Sequence, residues 1–127
     1  MHYLLMYDVV DDYITARAPF RKLHLLHATA AHQRGELILG GALANLPAES
    51  ASPVPRGHSN EVPATGANAA SRLGAVLLFQ ADSPKVAEDF AKADPYVLNG
   101  LITRWRVREW TTVVGDQASV RVDPNSL

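Results

Sequence analysis

Residues 73–114 read LGAVLLFQADSPKVAEDFAKADPYVLNGLITRWRVREWTTVV, and this stretch decides the fold. Its first nine residues, LGAVLLFQA, are apolar without a break and predict a strand buried on both faces. Ser83 is suited to cap a helix and Pro84 to open one. Val86, Ala87, Phe90 and Ala91 then form an apolar stripe at helical spacing. The helix should end near Asp94, because Pro95 disfavours helical geometry in the residue before it. Gly100 marks a turn, and residues 101–114 read as a long final strand. The unit is strand, helix, strand.

The first half repeats that order. Residues 2–9, HYLLMYDV, form another doubly apolar strand. Pro19 fits the first turn of a helix over 19–34, with Phe20, Leu23, His27 and Ala30 at helical spacing and Gly35 at its end. ELILGGALANL (36–46) is a strand interrupted by two glycines, which suggests a bulge or a close backbone approach. Residues 47–72 break the pattern. They hold Pro47, Pro53, Pro55 and Pro63, half of the chain's 8 prolines, and no aromatic residue. They read as an insertion between two strands.

The order β-α-β-(insertion)-β-α-β predicts an α+β, ferredoxin-like βαββαβ domain: a four-stranded antiparallel sheet with two helices on one face. The domain spans 1–115 with the insertion at about 47–72, and 116–127 form a polar C-terminal tail. Because the first and third strands are apolar on both faces, the second sheet face also needs a cover. A second copy of the chain is the simplest one, giving a homodimer through sheet faces.

Composition narrows the function. The 127 residues contain no cysteine, which excludes a disulfide framework, a thiolate zinc site, an iron–sulfur cluster and a cysteine nucleophile. A formal net charge of −1 leaves no footprint for nucleic acid or an anionic membrane. No apolar run approaches the roughly 18 residues of a membrane span, and Met1 leads straight into a strand-like segment without a signal peptide, so a cytoplasmic chain is expected.

The topology collects polar residues on one rim: Tyr7, Asp8, Arg21, His24, the 47–72 insertion, Asp94, Tyr96 and Arg104. A carboxylate such as Asp94, accepting from one nitrogen of His24, would fix the ring's tautomer and raise the basicity of the other nitrogen. Arg21, three residues before His24, could anchor an anionic substrate oxygen, and Tyr96 could donate to a developing oxyanion. His24 and His27 form an H-x-x-H pair with His32 following, but no acidic ligand stands at a telling spacing, so no metal is expected. His27 should pack against the sheet and His32 should be solvated near the helix end. Arg104, Arg106 and Arg108 alternate with Trp105 and Val107, which places them on the open or dimer face, paired with carboxylates across the interface. Asp8, Asp11 and Asp12 read as a solvated turn.

Three blocks match a known pattern: Arg17-Ala18-Pro19-Phe20-Arg21-x-x-His24-Leu25 with Gly35-Glu36-Leu37-x-x-Gly40-Gly41; Ala93-Asp94-Pro95-Tyr96-Val97-x-x-Gly100-Leu101; and Trp105-Arg106-Val107-Arg108-x-Trp110. Together they resemble the YCII-related (YciI-like) family over about residues 1–115. The resemblance implies a domain of the dimeric α/β-barrel group, which includes muconolactone isomerase-like proteins, and a site centred on a His/Asp pair. By motif that pair falls on His24 and Asp94, with Arg21 and Tyr96 in matching blocks. One branch of the family resembles a dehydrochlorinase acting on chlorinated hydroxyhydroquinones. The long 47–72 insertion departs from the pattern. The expectation is therefore a cofactor-independent enzyme that transfers a proton on a small metabolite. The rival is a non-catalytic small-molecule-binding or partner domain.

Overall fold

The computed structural model describes residues 1–44 and 73–127. The 47–72 insertion, and the end of the second strand at 45–46, lie outside the described residues. The elements run β1 (His2–Val9), α1 (Tyr13–Ala16), a 3₁₀ turn (Ala18–Phe20), α2 (Arg21–Gln33), β2 (Leu37–Ala42), β3 (Leu73–Gln80), α3 (Lys85–Ala93), α4 (Pro95–Leu98) and β4 (Ile102–Trp110). The strands form one sheet in the order β2-β3-β1-β4, and each neighbouring pair is antiparallel. This is the α+β, ferredoxin-like arrangement expected from the sequence. The short α4 was not foreseen as a helix, whereas α1 falls where residues 10–18 become helix-compatible after Asp12.

Alternation along the strands sorts the two sheet faces. Tyr3, Leu5, Tyr7 and Val9 of β1 point to the helices together with Ala75, Leu77 and Phe79 of β3, and all are buried. Ala31 of α2 and Ala87, Phe90 and Ala91 of α3 close this core. On the other face, Leu4 and Met6 of β1 stand opposite Leu78 and Val76 of β3, and all four are half-buried.

Three element-level expectations need correction. Leu23 was placed on the inner stripe of α2, yet it is 55% exposed. The inner face carries His27, as expected, together with His24, Ala28 and Ala31. Histidines can occupy it because each ring finds a partner, His27 Nε2 donating to the Phe90 carbonyl oxygen at 3.0 Å. The final strand stops at Trp110, not at 114. Beyond it the chain folds back: Val120 and Val122 donate backbone hydrogen bonds to Thr112 and Val113. The tail is therefore partly tied down, with the Thr112 hydroxyl buried against His2 Nδ1 at 2.6 Å and receiving the Ser119 N–H at 2.8 Å. Asp8 does not lie in a solvated turn. It is 4% exposed and takes the Arg106 guanidinium at 3.2 Å within the same chain, not across an interface.

Candidate active site

Asp94 is where the site begins. Pro95 excludes the helical conformation at Asp94, whose backbone is extended (φ −68°, ψ 126°), so α3 ends there. The same residue then caps α4, its Oδ1 accepting from the Tyr96 N–H at 3.0 Å. Gly100, at φ +78°, closes the far end of that single turn in a conformation other residues rarely adopt. The Asp-Pro-Tyr block thus turns the chain sharply and points a carboxylate inward, where it is 0% exposed.

A buried carboxylate is costly unless donors surround it. Asp94 has three. The cap is one. His24 Nδ1 lies 2.8 Å from Oδ1, and the Tyr7 hydroxyl donates to Oδ2 at 2.6 Å. Burial, reinforced by the Asp94 charge and by that hydrogen bond, pushes the Tyr7 hydroxyl far above the ordinary tyrosine range. Tyr7 therefore acts as a donor at every physiological pH. His24 gives its Nδ1–H to Asp94, which leaves Nε2 as the acceptor of the neutral ring.

The Tyr96 ring lies parallel to the His24 imidazole, with centroids 3.9 Å apart and planes 6° from parallel. Tyr13 meets Tyr96 edge-on at 5.8 Å, and the Arg17 guanidinium sits 5.2 Å above the centre of the Tyr13 ring. His24 is thus held on one side by a hydrogen bond and on another by a stacked ring, a support that fixes orientation. The Tyr96 hydroxyl is buried without a hydrogen-bond partner among the described residues. Burial raises its pKa and Tyr13 adds to the rise, while Arg17 and Arg21 oppose it.

These side chains line a cavity of about 250 Å³ between α2 and the β2–β3 part of the sheet. Arg17, Arg21, His24 and Ala28 approach it from the helix side, and Gly40, Ala42, Ala75 and Leu77 from the sheet side. The volume lies at the small end of ligand pockets and suits a molecule of about one ring.

Of the residues placed on the rim, Tyr7, Arg21, His24, Asp94 and Tyr96 come together. Asp8 and Arg104 do not. They face each other in the β1–β4 register on the opposite side of the sheet. A rim position says nothing about which face a strand residue takes, and strand alternation sends Asp8 away from Tyr7. Tyr13 and Arg17 were not foreseen as part of the site. The spacing Arg17, Arg21, His24, Ala28, close to one helical turn per step, was the signal that could have found Arg17. His32 is exposed near the end of α2, with Nδ1 donating to the Leu37 carbonyl at 2.8 Å, so the three histidines of α2 serve three separate partners. No helix among the described residues is long and apolar enough to cross a membrane.

The search of curated proteins finds no match. Among solved structures, the chain is similar to the 5-chloro-2-hydroxyhydroquinone dehydrochlorinase of Burkholderia phenoliruptrix AC1100, determined in complex with 2,5-dihydroxybenzoquinone. The TM-score is 0.59 at 16% identity, covering 88% of this chain and 95% of that one, which is a likeness of fold. The profile of the YCII-related domain matches residues 1–111, from β1 through the end of β4. By that match the chain belongs to the YCII-related family.

Proposed function

We propose that the protein is a small enzyme that moves a proton on a hydroxylated aromatic or enolisable metabolite, in a reaction of the lyase, isomerase or dehydrochlorinase type. The observation that carries this reading is the 2.8 Å contact between His24 Nδ1 and a fully buried Asp94, beside a cavity that His24 lines. Asp94 fixes the tautomer, and its charge stabilises the imidazolium once Nε2 has taken a proton. Proton transfer of this kind requires neither a nucleophile nor a cofactor. Arg21 or Tyr96 would hold the oxygen on which charge develops. The dehydrochlorinase of similar fold supports the reaction class, since loss of chloride from a ring can follow removal of a proton.

The test is exchange in D₂O. Hydroxylated aromatic and enolisable compounds are incubated with the protein, and incorporation of deuterium or loss of halide is followed by NMR. His24→Ala should fold as the parent does and lower the rate by about 10²–10⁴-fold. An unchanged rate in that variant would overturn the dyad reading.

The same reading includes a cytoplasmic homodimer, joined through the sheet faces that the helices leave open. The half-buried Leu4, Met6, Val76 and Leu78 on that face support it.

A further inference from the structure

The charges around the cavity are one-sided. Arg17 and Arg21 line it, and among the described residues no aspartate or glutamate does. Asp94 stands behind His24, with its oxygens already occupied by His24, Tyr7 and the Tyr96 amide. Among the described residues, no carboxylate lies in ion-pair range of either arginine. Arg17 is nonetheless held in place, stacked over Tyr13. The buried Tyr96 hydroxyl, influenced by both arginines and without a hydrogen-bond partner in strict geometry among the described residues, belongs to the same lining.

The lining is also graded along α2. Arg17 stands just before its start and Arg21 at it, His24 one turn on, and Leu25 and Ala28 follow, with Leu37 and Leu77 on the sheet side. A ligand that satisfies this gradient is charged at one end and flat and apolar at the other. A paired guanidinium site matches the two oxygens of a carboxylate better than a single phenolic oxygen.

We propose that the cavity takes a planar carboxylic acid, aromatic or enolic, whose carboxylate is held by Arg17 and Arg21 and whose ring or double bond lies beside His24. Arg17 is the residue that sets this preference. The inference rests on the functional reading above for the role of His24, but not for the binding of the acid.

Calorimetric titration of the full chain with 3-hydroxybenzoate and with its neutral isostere 3-hydroxybenzamide tests it. The acid should bind at least tenfold more tightly than the amide. Arg17→Met should remove most of that preference by weakening the acid far more than the amide, and Arg17→Lys should restore part of it. Raising the salt concentration should weaken the acid alone. Equal affinity for the two probes, no binding of either, or an equal loss for both in Arg17→Met would overturn the proposal. The last result would assign Arg17 to support of Tyr13 only. The two readings fail separately. If the acid is preferred but exchange does not depend on His24, the functional reading falls and this one stands. If exchange depends on His24 but the amide binds as well as the acid, only this one falls.

Discussion

Tyr7 shows how much a single residue holds in place. Its hydroxyl is one of three donors on a carboxylate that no water reaches, and hydrogen bonds to charged groups contribute about 1.5–3 kcal/mol each. Tyr7→Phe should lower stability at neutral pH by about that much, read from urea unfolding. A loss below about 0.5 kcal/mol would show that the other two donors suffice. The pH dependence has a definite sign. The folded chain holds the Tyr7 proton far more tightly than the unfolded chain, whose tyrosines titrate near about 10. The associated stability is complete below about pH 10 and falls as the pH rises beyond it, because the unfolded state loses its proton first. Tyr7→Phe should make this alkaline decline shallower, with Tyr96 supplying part of what remains. His24 and Asp94 were legible because each sits in a motif and the topology brings the motifs together. Tyr7 was placed on the same rim as Asp94, but its hydrogen bond to that carboxylate was not legible, since a rim position does not say which side chains touch. Tyr13 was not singled out, since nothing in the sequence marks it beside Asp11 and Asp12, which read as a solvated turn.

At the scale of the elements, the strands were easier to read than the helices. Two doubly apolar runs and their breakers fix β1 and β3, and one strongly periodic stripe fixes α3. For α2 the apolar residues misled. Leu23, Leu25 and Leu26 are exposed, whereas His24 and His27 face inward because Asp94 and the Phe90 carbonyl await them. Hydrophobic periodicity cannot report a face buried through hydrogen bonds. The pairing of β1 with β3 rests on a close approach at Gly74, near the register shift at Tyr7 and Asp8. A Cβ at residue 74 would come within 2.5 Å of both γ carbons of Val9. Gly74→Ala should therefore cost about 1–3 kcal/mol through overpacking. Combining it with Val9→Ala should recover part of that loss, giving a coupling of about 1 kcal/mol or more in a double-mutant cycle. Strictly additive losses would mean that the strands move apart freely. Gly40 works differently. It stands opposite Leu77, and its missing side chain keeps the cavity open on the β2 side. Gly40→Val should fold, with its Cβ meeting the Leu77 side chain at 3.3 Å, and should weaken 3-hydroxybenzoate binding at least tenfold. Unchanged affinity would place the ligand elsewhere.

The whole molecule presents two unlike sheet faces, and the open one carries an apolar block. Leu4, Met6, Val76 and Leu78 form a block across the two central strands, and Leu39 beside Leu78 is 70% exposed. On the β4 side the block meets Arg104, Arg106 and Arg108, of which Arg106 is already neutralised by Asp8. An apolar centre with a polar border is the usual anatomy of a protein–protein interface. Because the two central strands provide it, a twofold axis through their midpoint lets the patch meet itself. The unbroken apolar runs of β1 and β3 made this face legible, but the position of the arginines relative to it followed only once the β1–β4 register was known. Sedimentation equilibrium of the full chain should give twice the 13.8 kDa chain mass. Leu78→Glu puts a charge in the middle of the block, where pairing would bury two copies of it about the axis. That variant should sediment as a monomer with its helices intact by circular dichroism. The cavity lies on the other side of the sheet, so the monomer should still bind 3-hydroxybenzoate if the site is complete within one chain. A parent chain that sediments at 13.8 kDa would remove the dimer and leave the open face without a cover.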